Sequence, residues 1–311
     1  MADASLVQND TEADRPGGPG GARDGEIAAA AQRRRLWRRV FQLSPITLLY
    51  VVGLILPYLY LLRMSFNIYD PMLVFREAFA LDNYIKLLTD AFYLQIVAET
   101  IWLGVAVTLF TLIVGYPIAW QIARAKSHVK SLLLAAVLSP LLINLVVRTY
   151  GWLAILGDNG ILNGWMLDLG LIGSPLPLSN NFWTVVVGLG HVTLPFMVLS
   201  LVSVMESLSD ELLEAGENLG ASTFQIFTDV VWPLTWAGVG AGSILVFCFS
   251  ISAFVTPALL GGGHVSTVST LIYEKFTFSV NWPVGSALVF ILLAMNMVVI
   301  MIHGRLFRHE D

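Results

Sequence analysis

Between Glu206 and Pro233 the chain carries six carboxylates (Glu206, Asp210, Glu211, Glu214, Glu217, Asp229) and no Lys or Arg. Carboxylates crowded on one short stretch can serve acid–base catalysis, metal ligation or recognition of a basic surface. Catalysis needs converging partner groups, and the sequence offers no HExxH, no GxSxG and no Cys/His cluster. No GxxxxGK[ST] loop is present to cradle phosphates, and the glycines of GGPGGARDG lack the Lys. The five histidines are scattered, and His191, alone in an apolar run, reads as a hydrogen-bonded packing residue. No metal set is expected. An enzyme reading therefore has nothing to stand on. A second concentration of functional groups is Arg148, Tyr150, Trp152 and Asp158, and a lone carboxylate, Glu99, stands in another apolar run.

The acidic stretch reads as helix, glycine elbow, helix. Leu208, Leu212, Ala215 and Leu219 recur at helical spacing with the acids on the other side. Ser209 can cap this helix, with Asp210 and Glu211 in the first turn, where the helix dipole favours them. Gly220 tolerates the left-handed conformation of a C-terminal stop. Ser222 or Thr223 can cap a second short helix bearing Ile226, Phe227 and Val230, and Pro233 closes the stretch. The same pattern suits an amphipathic connector lying on a membrane surface.

With 56% hydrophobic and only 13% charged residues, against about 25% charged in soluble domains, the 311 residues describe an integral membrane protein. The single cysteine, Cys248, excludes an intrachain disulfide. A span takes about 20 apolar residues. Candidates are residues 41–62, 96–122, 132–156 (interrupted by Pro140), 182–205, 236–260 and 284–302. Six spans put both termini on one side. Residues 1–40 read as a disordered tail ending in the cluster Arg33, Arg34, Arg35, Arg38 and Arg39, residues 41–303 as the transmembrane domain, and 304–311 as a C-terminal end. The first run is too long for a signal peptide and reads as an anchor. Twelve of the 17 Lys and Arg fall on the side of the termini, which the positive-inside rule makes cytoplasmic. Parity puts the acidic elbow there too. Residues 81–90 suggest a short surface helix. Arg148 at bilayer centre would cost about 2.5–3.5 kcal/mol, so it belongs near the outer end of its span or in a watery cavity. Two readings stand for Arg148, Tyr150, Trp152 and Asp158: anchoring at headgroup depth, or lining a solute pathway. Glu99 is either solvated and idle or a carboxylate offered to a cationic solute.

Glu214-Ala215-Gly216, Gly220 six residues after the Glu, and Val230-Val231-Trp232-Pro233 resemble the EAA loop of ATP-binding cassette (ABC) importer permeases. That loop reads Glu-Ala-Ala, then Gly, then aliphatic-x-Leu-Pro. Gly216 and Trp232 depart from it mildly, and Glu217 stands where relatives often carry a basic residue. VVRTYGWLAILGDNGILN (146–163), His191–Met197, Leu260–Gly263 and Asn281–Ala287 are similar to the spermidine/putrescine class, so the resemblance covers about residues 45 to 303. It implies an all-α, six-helix type I ABC importer permease fold in a bacterial inner membrane. The chain would form half of a pore for a small hydrophilic solute, polyamine-like such as spermidine or putrescine. Implied partners are a second permease subunit, a dimer of cytoplasmic ATPase subunits and a periplasmic solute-binding protein, besides membrane lipid; nucleic acid is not among them. ATP and Mg would sit on the ATPase, leaving this chain without a cofactor or catalytic role. The coupling set would be Glu214, Ala215, Gly216, Gly220, Ala221, Ser222 and Pro233, and the acidic loop implies a basic complement on the ATPase. Arg148, Tyr150, Trp152, Asp158 and Glu99 would be the pathway candidates. An ion-coupled secondary transporter is the competing class; it should show inverted repeats and ionisable residues deep in its spans, and neither is found. An amino-acid derivative or another small solute is the competing cargo.

Overall fold

Backbone in hydrocarbon has only protein groups to bond with, so spanning segments must be helical. The computed structural model describes residue 44 and residues 47–306. The tail and Arg cluster expected at 1–40, the first residues of the first span and residues 307–311 lie outside the described residues. In chain order the elements are α1 (Thr47–Ser65), β1 (Ile68–Asp70), β2 (Val74–Arg76), α2 (Asp82–Thr89), α3 (Ala91–Arg124), α4 (Ser127–Leu142), α5 (Leu145–Leu156) and α6 (Ile161–Asp168). Then follow α7 (Phe182–Met205), α8 (Asp210–Asn218), α9 (Thr223–Ser252), α10 (Val255–Leu260), α11 (Val268–Thr277) and α12 (Trp282–Leu306). Five of these, α1, α3, α7, α9 and α12, are long and apolar enough to cross a membrane, and the bent run from α4 through α6 makes a sixth span. The chain divides after Tyr60. The described part of the first unit is the apolar body of α1, and the second unit begins at Leu61 and holds both cores.

Lipid tails are as apolar as leucine, so helices associate through close fit rather than through escape from water. In the larger core α3, α7 and α9 pack on one another around Leu103, Val107, Leu189, Met197, Leu201 and Val246, all buried. Glycines set the closest approaches. A Cβ on Gly104 of α3 would come within 2.7 Å of Ile251 and 2.8 Å of Phe247 on α9. One on Gly242 of α9 would come within 2.7 Å of the Met197 sulfur on α7. A smaller core joins α2, the start of α3, α11 and α12 through Leu87, Ile96, Leu271 and Leu288.

Two expected spans break elsewhere than the sequence suggested. Pro140 was the expected interruption of the third span, yet it remains inside α4, which runs to Leu142. The break falls at Asn144, whose side-chain oxygen accepts from the N–H of Val146 (2.9 Å) and of Val147, starting a new helix. The chain turns through 99° there. The fifth span was expected to reach Leu260. Instead Ala253 turns extended (ψ 135°), α9 stops at Ser252, and α10 is a separate short helix. The groups freed near both breaks find partners. Arg148 donates to the Pro140 carbonyl (2.5 Å) and the Ser269 hydroxyl to the Ile251 carbonyl (2.9 Å). The N–H of Val268, at the start of α11, donates to the Thr100 hydroxyl (2.9 Å).

Between α1 and α2 lies an antiparallel hairpin, β1 with β2, pairing Tyr69 with Phe75, which the sequence reading did not anticipate. Its turn is organised by Asp70. The carboxylate accepts from the N–H groups of Met72 (2.9 Å) and Leu73 (3.2 Å) and pairs with Arg76 (2.5 Å). The Met72 N–H first, then the Arg76 and Leu73 hydrogen bonds, hold this carboxyl below its ordinary value of 3.8. A depressed folded value means the contribution to hairpin stability is complete above pH 3.8 and fades as pH falls through the lower, folded value.

Two outcomes are expected. In a carboxyl-labelled sample Asp70 titrates with a midpoint below 3.8, and Arg76→Ala moves the midpoint upward; a wild-type midpoint at or above the ordinary value would contradict the turn geometry. Gly104→Val, forced against Ile251 and Phe247, should cost about 1–3 kcal/mol and lower the Tm of the detergent-solubilised chain. Gly164→Ala, where a Cβ meets nothing within 4 Å, should leave the Tm within a degree or so.

Candidate functional site

The acidic stretch folds as helix, elbow, helix. Asp210 and Glu211 occupy the first turn of α8, but Ser209 stands at its N-cap without a side-chain hydrogen bond, so the expected cap is absent. At the other end Gly220 is left-handed (φ 82°). Its N–H donates to the Glu217 carbonyl (2.9 Å) and that of Ala221 to the Gly216 carbonyl (3.1 Å). These paired bonds make the Schellman stop that a positive φ permits. Ser222 then opens the next helix in a reciprocal capping box. Its backbone N–H donates to Gln225 Oε1 (2.8 Å) and its hydroxyl accepts from the Gln225 N–H (3.3 Å).

Pro233 does not close the stretch. The helix runs on through it to Ser252, because a wide π turn over Phe227–Val231 precedes it; proline crowds the preceding turn, and the wider turn relieves that crowding. Trp232 sits at this point with its ring 5.6 Å from Tyr116 and 5.9 Å from Trp236. Tyr116, 5.6 Å from Phe227, also shares a hydrogen bond with Thr235 (2.9 Å). The elbow's exit is thereby tied to α3.

The face of α8 turned toward the chain also differs from expectation. Leu213 and Gly216 are half-buried, and a Cβ on Gly216 would meet Ile226 at 3.2 Å. Gly216 thus packs inward instead of facing a partner. Of the expected apolar stripe, Leu212, Ala215 and Leu219 are exposed, Leu219 by 89%. Phe224, just beyond the elbow, is 74% exposed. Glu214 is also exposed. Two of the six carboxylates are answered inside the chain, which the sequence reading missed. Asp210 pairs with Arg124 at the end of α3, and Glu206 pairs with Lys130 of α4 (2.8 Å). The signal was available in the basic residues between the second and third spans.

The five pathway candidates do not form one cluster: among the described residues no hydrogen bond or ion pair links any two of them. Arg148 is spent in part on the Pro140 carbonyl, which makes it a brace of the bend. Trp152 donates its indole N–H to Nδ1 of His191 (3.4 Å), the packing hydrogen bond expected for that histidine. Asp158 accepts from the Ser179 hydroxyl (3.5 Å), and Tyr150 is exposed. Glu99 accepts from Gln95 one turn earlier (2.7 Å). α3 has 34 residues and so measures about 50 Å against a hydrocarbon core of about 30 Å. Glu99 stands about two turns from its start, at the end opposite Arg124.

Residues 108–309 match the family described as the binding-protein-dependent transport system inner membrane component. The chain belongs to that family. It is similar to the spermidine/putrescine transport system permease protein PotB of Haemophilus influenzae, 35% identical over 251 residues, covering 81% of this chain and 87% of the relative. The protein of the same name from Escherichia coli is 33% identical over 255 residues, covering 82% and 92%. Among solved structures, a chain of a bacterial alginate ABC transporter, in complex with an alginate pentasaccharide-bound periplasmic protein, superposes with a TM-score of 0.73. It is 16% identical, and the match covers 89% of this chain and 96% of that one. The fold is therefore that of a type I ABC importer permease, and the protein is a multi-pass inner-membrane permease subunit of a binding-protein-dependent ABC importer. The secondary-transporter reading falls away.

The local rigidity of the permease's elbow can be measured. Ser222→Ala removes the hydroxyl half of the capping box and should cost the short helix about 0.5–2 kcal/mol. Amide exchange over residues 223–226 is expected to accelerate several-fold while the α7 amides stay unchanged.

Proposed function

We propose that this permease forms half of a pore that imports a small polyamine such as spermidine or putrescine, and that the acidic elbow is where an ATPase drives it. The exposed apolar row Leu212, Ala215 and Leu219 with Phe224 carries the proposal. It is held on a helix stiffened at its end by a Schellman stop, and its opposite face is turned inward. Such a helix suits a groove on a partner. Glu214 stands beside this row, exposed, as the anchor for a backbone or basic group across the interface. Ala215 is small enough for close approach, while Gly220, Ala221 and Ser222 supply the stop and restart that aim the helix. Pro233 and the aromatic group around Trp232 carry displacement of the elbow into α9 and α3. Closure of an ATPase dimer would draw two such elbows together and tip the spans as rigid bodies.

In this reading a second permease subunit completes the pore, and a periplasmic binding protein delivers the solute. Both termini face the cytoplasm, consistent with the distribution of Lys and Arg. ATP and Mg are bound and hydrolysed by the ATPase, with no cofactor on this chain. The cargo assignment rests on the relatives named for spermidine/putrescine transport. Glu99 fits it as a carboxylate near the end of α3 opposite the elbow. Arg148 braces the bend in the third span more than it meets the cation, and Tyr150, Trp152 and Asp158, further along the chain, stay as pathway candidates.

Reconstitution with the cognate ATPase, second permease and binding protein tests the reading. ATP-dependent uptake of labelled spermidine or putrescine is expected. Glu214→Arg and Gly220→Val should each lower uptake at least about tenfold, equivalent to 1.4 kcal/mol, with weaker ATPase copurification at unchanged membrane levels. Uptake of an amino-acid derivative in place of polyamines would overturn the cargo assignment and leave the coupling role standing. Normal transport by both variants would sink the coupling role.

A further inference from the structure

Behind α8, on the face opposite the exposed apolar row, lies a cavity of about 370 Å³. Tyr116, Trp120 and Gln121 of α3 line one side, Leu213 and Glu217 of α8 the other, and Phe227 the elbow's exit. The volume lies within the range of small-molecule sites, about 300–1,000 Å³. Its walls are largely aromatic and aliphatic, with one charged residue, Glu217, at its exposed rim, and Gln121 and Thr223 as uncharged polar residues. Among the described residues no basic side chain lines it. The guanidinium of Arg124 lies over one face of Trp120 at 4.8 Å and pairs with Asp210 through Nη1, while its Nε and Nη2 are buried in the protein without a hydrogen-bond partner and do not line the cavity.

A site with an apolar body, π faces and a single carboxylate is complementary to one class of ligand: an alkyl chain ending in an ammonium group. Aromatic faces attract a cation through the ring quadrupole, the methylene chain takes the apolar walls, and the carboxylate accepts a charge-assisted hydrogen bond. An organic anion is disfavoured by Glu217 and by the other unpaired acids of the elbow. Glu217 is also the residue that departs from the usual basic type after the EAA core, so the departure places a carboxylate at this cavity. We propose that the cavity between α3 and α8 is a binding site for an alkylammonium ion, with Glu217 its charge partner. An occupant there touches α3 and α8 together and braces the elbow against the membrane helix. The inference holds whether or not the imported cargo is an amine.

The test uses the permease labelled with 5-fluorotryptophan in nanodiscs, both alone and assembled with its partners, with the Trp120 resonance assigned by Trp120→Phe. The probes are n-hexylamine, 1-hexanol and hexanoate. Hexylamine is expected to shift the Trp120 resonance saturably in both preparations, and hexanoate to leave it unmoved. Glu217→Gln, at an exposed position, should raise the apparent Kd for hexylamine about tenfold, the scale of one charge-assisted hydrogen bond. Leu213→Phe, which fills the space, should abolish the shift. No shift with hexylamine overturns the proposal. So does equal binding of hexanol and hexylamine with no effect of Glu217→Gln, which would make the cavity an acyl-chain slot. A shift seen in the permease alone and lost on assembly also overturns it, because the cavity would then be filled by a partner's side chain.

Discussion

Every backbone N–H and C=O at membrane depth needs a protein partner, and much of this structure follows from how its broken helices meet that demand. A continuous helix meets it automatically, whereas a break exposes carbonyls at one end and N–H groups at the other. Three polar side chains that look out of place in apolar runs answer this need. Arg148 takes the carbonyl of Pro140, Ser269 takes that of Ile251, and Thr100 receives the N–H of Val268. Asn144 begins the helix after the sharpest bend by accepting from Val146 and Val147. An arginine in a span invites a functional reading, and here part of its chemistry is consumed in permitting the bend.

The same economy shapes the helix contacts. With no gain from removing apolar surface from water, the core helices are held by surfaces that fit, and Gly104 and Gly242 bring backbones to the distance that larger residues would forbid. The proposed coupling stretch hangs from this core through two kinds of bond. Arg124 and Lys130 tether its acidic side, while Tyr116, Phe227, Trp232 and Thr235 knit its exit to α3. Trp232, in place of the leucine of related loops, is part of this knot. Between the tether and the knot the packing is incomplete, and the cavity against Glu217 is the result.

Length, hydropathy and local backbone chemistry settled much in advance. The span at 182–205 begins and ends as the sequence reading placed it, since an apolar run of that length has one stable conformation in lipid. Gly220 stops its helix and Ser222 starts the next, because those signals act within a few residues of themselves. Family membership was legible for the same reason: the elbow is a compact string of local signals. The hairpin at Ile68–Arg76 was overlooked because its strands are short and its register depends on Asp70 bonding the turn.

Tertiary structure alone decided which way α8 faces, where the third and fifth spans break, and which carboxylates are neutralised. Helical periodicity marks an apolar stripe but cannot say whether it meets this chain or another; Gly216 turned inward only because Ile226 stands opposite it. Pro140 is a local reason to break a helix, yet the break moved to Asn144, where capping and the Arg148 brace together satisfy the freed groups. Asp210 and Glu206 were read as charges awaiting a partner protein, and the cations that meet them come from helices far away in sequence. Such pairings depend on how the helices pack, and packing is a property of shapes that no single stretch of sequence contains.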